Sequence, residues 1–133
     1  MAPATRTEPR VLITDDSVVA RQVIAMTCRQ IPDLLYAQID QAADGVAALE
    51  LLRQRHYDLV LADVRMPRMD GIELVSRIRQ ELGDMSVPVI LISTLGSDQD
   101  VRRGLEAGAT AYLVKPLSPY RIKRLIEQLL AAR

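Results

Sequence analysis

The chain predicts an α/β fold, a doubly wound five-stranded parallel sheet flanked by five helices. Short apolar runs, Val11 to Thr14, Leu59 to Ala62 and Val89 to Ser93, alternate with longer stretches whose apolar residues recur at helical spacing. The runs lack the in-and-out alternation of a half-solvated strand, so they read as strands covered on both faces. Chain-breaking Pro, Gly, Asp or Ser residues follow each run within a few positions. Such strand and helix alternation yields a parallel sheet with right-handed crossovers.

Residues 1–9, rich in Thr, Ala and Pro without periodicity, read as an N-terminal tail, leaving 10–133 as the folded domain. The first strand, Val11 to Thr14, ends in Asp15-Asp16-Ser17. From Val18, Ala20, Val23, Ile24, Thr27 and Ile31 mark the first helix, which Pro32-Asp33 stops. Leu34 to Gln41 reads as a strand with a blurred pattern. Asp44-Gly45 is a turn, and Ala48, Leu49 and Leu52 mark the second helix. The central strand Leu59 to Ala62 runs into Asp63, then Pro67 and Gly71 break the chain. Asp70 caps a helix with Ile72, Val75, Ile78 and Leu82 inward. Gly83 to Ser86 loops out before the fourth strand, which ends on Ser93. Leu95 to Asp98 turns into a short helix that Gly108 terminates. Ala111 to Lys115 is the fifth strand; Ser118 and Pro119 start the last helix, with Ile122, Leu125, Ile126 and Leu129 inward.

At 133 residues the chain suits one domain. Lys plus Arg number 17 and Asp plus Glu 17, a balance that argues against direct nucleic-acid binding, which draws on clustered cations. No apolar run reaches the length of a membrane span and the first ten residues lack a signal-peptide core, so no membrane insertion and a cytoplasmic location are expected. The one cysteine, Cys28, falls in a helical pattern and reads as a small, semi-buried apolar residue. The one histidine, His56, sits in a polar connection without an evident partner and reads as solvated.

Strand ends of a parallel sheet share one edge, where ligand crevices form. Asp63 alone could equally be a turn residue, and its own stretch leaves both roles open. The full set is more informative: Asp15, Asp16, Asp63, Ser93 and Lys115 all follow strands and converge on one rim. Three adjacent carboxylates repel unless a cation or protons intervene. Such an oxygen-rich site suits Mg²⁺, which keeps waters and takes one or two carboxylates plus a phosphate. Lys115 supplies positive charge and Ser93 a hydroxyl donor, so the set points to phosphoryl transfer with aspartate as acceptor. No G-x-G-x-x-G or G-x-x-x-x-G-K-[ST] loop is present, and the acids near Asp63 lack EF-hand spacing.

In this order and spacing, Asp15-Asp16, Asp63 before Met66 to Gly71, Ser93 after Pro88 to Ile92, and Lys115-Pro116 after Tyr112 resemble the receiver domain of bacterial two-component response regulators. The likeness covers roughly Arg10 to the C-terminus. It implies a flavodoxin-like fold with strand order 2-1-3-4-5. It implies Mg²⁺, with Mn²⁺ as a substitute, held by Asp15, Asp16, Asp63 and the backbone carbonyl of Arg65. Asp63 would receive a phosphoryl group from a sensor histidine kinase or phosphotransfer protein, Lys115 and Ser93 would contact it, and Ser93 and Tyr112 would act as the switch pair. The Lys115-Pro116 bond is expected to be cis. Catalysis would be limited to self-phosphotransfer and autodephosphorylation.

Arg65 and Thr94 depart from the commonest family residues and are expected at the site mouth, where they would modulate hydrolysis of the aspartyl phosphate. A downstream protein target is expected on the face of the fourth helix, fifth strand and last helix, with Arg102, Arg103, Tyr112, Tyr120 and Arg124. The alternative is a receiver-like protein-binding module that is never phosphorylated. A phosphatase with an aspartyl nucleophile fits less well, because no D-x-D stands at Asp15-Asp16-Ser17. No output domain follows the last helix, which fits a stand-alone receiver or a piece of a longer regulator.

Overall fold

The computed structural model describes residues 8–132, so most of the predicted tail lies outside the described residues. Strands β1 (Arg10–Thr14), β2 (Gln38–Ala42), β3 (Leu59–Asp63), β4 (Val89–Ser93) and β5 (Ala111–Val114) alternate with helices α1 (Val18–Arg29), α2 (Gly45–Gln54), α3 (Gly71–Gln80), α4 (Asp98–Glu106) and α5 (Pro119–Ala131). All four pairings are parallel, in the order β2-β1-β3-β4-β5. The expected fold and strand order are both present.

Side chains alternate across a strand, so successive residues of the central strands feed opposite layers. Val11, Ile13, Leu59, Leu61, Ile90 and Ile92 pack against α1 and α5 through Ile24, Cys28, Ile122 and Ile126. Leu12, Val60 and Leu91 pack with Ala48, Leu49, Leu74, Val75 and Ile78 of α2 and α3. β3 and β4 are buried at every position, which explains their unbroken apolar sequences.

Helix starts follow their capping chemistry. Ser17, Asp44, Asp70, Ser97 and Ser118 each accept a backbone N–H from the first turn of the helix they precede. Ser97 and Asp100 form a reciprocal capping box. Asp44 is therefore a cap and Gly45 the first helical residue, rather than the two forming a separate turn.

Three further local expectations are corrected. The strand read at Leu34 to Gln41 is Gln38–Ala42, because Pro32–Leu34 forms a single 3₁₀ turn that seats Leu34 in the core. Val23 faces solvent, since the inward line of α1 runs through Ile24 and Cys28. Cys28 is fully buried rather than semi-buried. Burial pushes its thiol up to about 12, against a smaller opposing pull from Arg29, so it stays protonated. Among the described residues no helix is long and apolar enough to cross a membrane.

Candidate functional site

Parallel pairing gathers the strand C-termini on one edge, and the polar residues beyond them meet there. One carboxylate oxygen from each of Asp15, Asp16 and Asp63 lies within 4.8 Å of the others. Lys115 Nζ is 3.3 Å from Asp63 Oδ2 and 3.7 Å from Asp15 Oδ2. Asp15 and Asp63 are buried and Asp16 is exposed, so the cluster opens to solvent on one side. The cis Lys115-Pro116 bond is present.

Asp15 is fixed from several directions. Its N–H donates to the Ala42 carbonyl at 3.1 Å, its own carbonyl accepts from the Arg21 guanidinium at 2.6 Å, and its Oδ1 accepts the Ser17 N–H at 2.8 Å. Its Oδ2 is buried among the described residues without a hydrogen-bond partner. Burial is the main reason its carboxyl is raised above the usual range; the Ser17 N–H opposes this, the Asp63 charge adds to it, and Lys115 opposes it. A buried, unsatisfied carboxylate oxygen facing two more acids is poorly compensated by one lysine, and a hard divalent cation fits that donor set.

Asp63 Oδ1 accepts the Arg65 N–H at 3.3 Å. A Cβ at Gly71 would collide with the Asp63 carbonyl, so the start of α3 packs directly on the backbone of this acid. The intervening loop is tied on its far side: Arg68, at φ +67°, donates Nε and one terminal nitrogen to Asp44 Oδ2 at 3.1 and 2.8 Å. Asp44 Oδ1 meanwhile caps α2 through the Ala47 N–H. Thr14 Oγ1 donates to Met66 Sδ at 3.3 Å. Sequence reasoning missed the Arg68 clamp, because its acceptor lies 24 residues away in the chain.

Ser93, fully buried, ends β4. Its Oγ accepts the Leu95 N–H at 3.0 Å, and the Leu95 carbonyl accepts from the Tyr112 hydroxyl at 2.6 Å. The backbone of Leu95 thus joins the two residues expected to switch together, a link with no signal in the sequence. Arg65 and Thr94 are exposed, each within two residues of a rim side chain. His56 is exposed, with Asp58 at 3.8 Å. A cavity of about 440 Å³, lined by His56, Pro88, Thr110 and Leu129 among others, lies at the opposite edge, away from the carboxylates.

Sheet order and rim chemistry assign the chain to a class, the receiver-type α/β domains that act in signalling. Comparison with known proteins is narrower: the family described as "Response regulator receiver domain" matches residues 11–127, and the chain belongs to that family. It is 42% identical over 114 residues to a gliding motility regulatory protein of Myxococcus xanthus, covering 86% of this chain and 14% of that protein. It is 33% identical over 122 residues to a chemotaxis protein CheY homolog of Campylobacter jejuni subsp. jejuni, covering 91% and 92% of the two chains. The structure of a CheX-CheY-BeF₃-Mg²⁺ complex from Borrelia burgdorferi contains a chain that superposes with a TM-score of 0.82 at 33% identity, over 91% of this chain and 88% of that one. The chain spans half the length or less of several curated relatives that it matches.

Proposed function

We propose that the chain is a phosphoacceptor signalling switch, with residues 10–133 as the switch domain and Asp63 as the acceptor. The observation that carries this reading is the buried Asp15 Oδ2, which accepts no hydrogen bond, beside Asp63, with the Lys115 charge shared between the two acids. A carboxylate oxygen of Asp63 attacks the phosphorus of a phosphohistidine on a sensor kinase or phosphotransfer protein. The N–P bond breaks as the O–P bond forms, and the departing imidazole takes up a proton. Lys115 moves its positive charge onto the arriving phosphoryl oxygens, and the Ser93 hydroxyl donates to one of them.

Asp15, Asp16, Asp63 and the Arg65 carbonyl would hold Mg²⁺, with Mn²⁺ as a substitute, and the bound cation would neutralise phosphoryl charge. The CheX-CheY-BeF₃-Mg²⁺ complex from Borrelia burgdorferi supports that assignment by similarity. The signal then passes from Ser93 through the Leu95 backbone to Tyr112 and the α4–β5–α5 face, where a downstream protein binds. Turnover is limited to self-phosphotransfer and autodephosphorylation, and the chain works in the cytoplasm without direct contact to nucleic acid. Arg65 and Thr94, at the mouth, set how readily water reaches the acyl phosphate.

Incubation with Mg²⁺ and acetyl phosphate, followed by intact-mass measurement, tests the reading. A phosphate-sized increment is expected on wild type and none on Asp63→Asn. No increment on either protein would favour the non-phosphorylated binding module. Followed over time after donor removal, the increment should decay at a different rate in Arg65→Asn and in Thr94→Ala; unchanged decay in both would remove these two residues from the mechanism.

A further inference from the structure

α4 carries a glycine, Gly104, at a buried position in its interior. Glycine inside a helix is unfavourable relative to alanine, chiefly through backbone entropy. Here the Tyr112 ring occupies the space that a side chain would take. A Cβ on Gly104 would lie 2.9 Å from Tyr112 Cδ2, 3.1 Å from its Cε2 and 3.0 Å from Leu91 Cδ1. Leu91 and Tyr112 are paired across β4 and β5, so both side chains close on the one part of the helix that lacks a side chain. From this seat the Tyr112 hydroxyl reaches the Leu95 carbonyl. The preceding loop is equally close: a Cβ on Gly96 would lie 2.8 Å from Val114 Cγ1. The contacts that make the seat come from α4, β4, β5 and the loop between β4 and α4, not from the Asp63 carboxylate.

We propose that Gly104 is the positioning residue for Tyr112: the absence of a Cβ there holds the ring against α4, so the α4–β5 surface is already formed before Asp63 is modified. A downstream partner reading that surface therefore meets it in the unmodified chain, and phosphorylation strengthens, through Ser93 and Leu95, a geometry that the helix already favours. The regulatory meaning rests on the switch reading above, whereas the seat does not.

Nitration of unmodified protein with tetranitromethane, mapped by peptide mass spectrometry, tests it with built-in references. Tyr57 is 2% exposed and reports the fold, while Tyr120 is 66% exposed and sets the rate of an open ring. In wild type Tyr112 should nitrate well below Tyr120. In Gly104→Ala it should rise about fivefold, the order expected for losing one hydrogen-bonded seat, with Tyr57 still protected. Wild-type Tyr112 as reactive as Tyr120, or no rise in the variant, would overturn the proposal. Should Tyr57 react in Gly104→Ala, Leu91→Val and Leu91→Val/Gly104→Ala replace it, and Tyr112 reacting equally in those two would also overturn it. Because no phosphodonor is present, failure of Asp63 to accept a phosphoryl group would defeat the switch reading and leave the seat standing.

Discussion

Arg79 joins three segments that are far apart in the chain. Its Nε donates to the Gly108 carbonyl and a terminal nitrogen to the Asp84 carbonyl, both at 3.0 Å, while the side chain is 8% exposed. Burial lowers the guanidinium's pKa from its ordinary value, and the Asp84 charge opposes that. Arg79→Met keeps most of the stem but leaves both partly buried carbonyls without this donor, so a loss of about 1–3 kcal/mol is expected. Urea unfolding checks this: the midpoint should fall with the slope unchanged, and an unmoved midpoint would show that the guanidinium is dispensable. Arg79 was not legible in the sequence, because beside Arg77 and Gln80 it looks like part of a solvated helix face, and its acceptors come from other segments. Asp15, Asp63 and Lys115 were legible, since an ionic residue directly after an apolar strand has a local signature.

Among the elements, α2 depends on Asp44 for its start. Asp44→Ala removes the cap and is expected to cost about 1 kcal/mol, the exposed pairing with Arg68 adding little. The Ala47 N–H holds the Asp44 carboxyl below its usual range, with burial opposing and Arg68 assisting. Because the folded value is depressed, this contribution is complete above the unfolded carboxylate value of about 3.9 and is lost as pH falls through the folded value. The stability difference between wild type and Asp44→Ala should be flat from neutral pH to about 5 and shrink below about 4; a difference that persists at lower pH would show that the charge is not involved. β2 was the least legible element. As the edge strand it is only partly covered, and only Ala42 is buried, so neither alternation nor an apolar run marks it. β3 and β4, covered throughout, were read almost to the residue.

For the molecule as a whole, a formal charge of zero conceals three carboxylates and one lysine on a single rim. A ligand that binds only the folded chain at a hundred times its Kd adds about 2.7 kcal/mol. Mg²⁺ should therefore raise the melting temperature, and a chelator should reverse the rise. Asp15→Asn should melt at or above wild type without Mg²⁺, because it removes a disfavoured charge, yet lose most of the Mg²⁺ response; an undiminished response would place the cation elsewhere. Strand order was not legible from periodicity, which reports burial rather than neighbours, and came only with the family resemblance. The sheet's two unlike layers have a broader consequence. With Val11 and Ile13 sealed on one side and Leu12 on the other, the sheet works as a bulkhead: loosening the α1–α5 compartment does not flood the α2–α3 one. Substitutions in opposite compartments should combine nearly independently, leaving each side free to drift in evolution without spoiling the other.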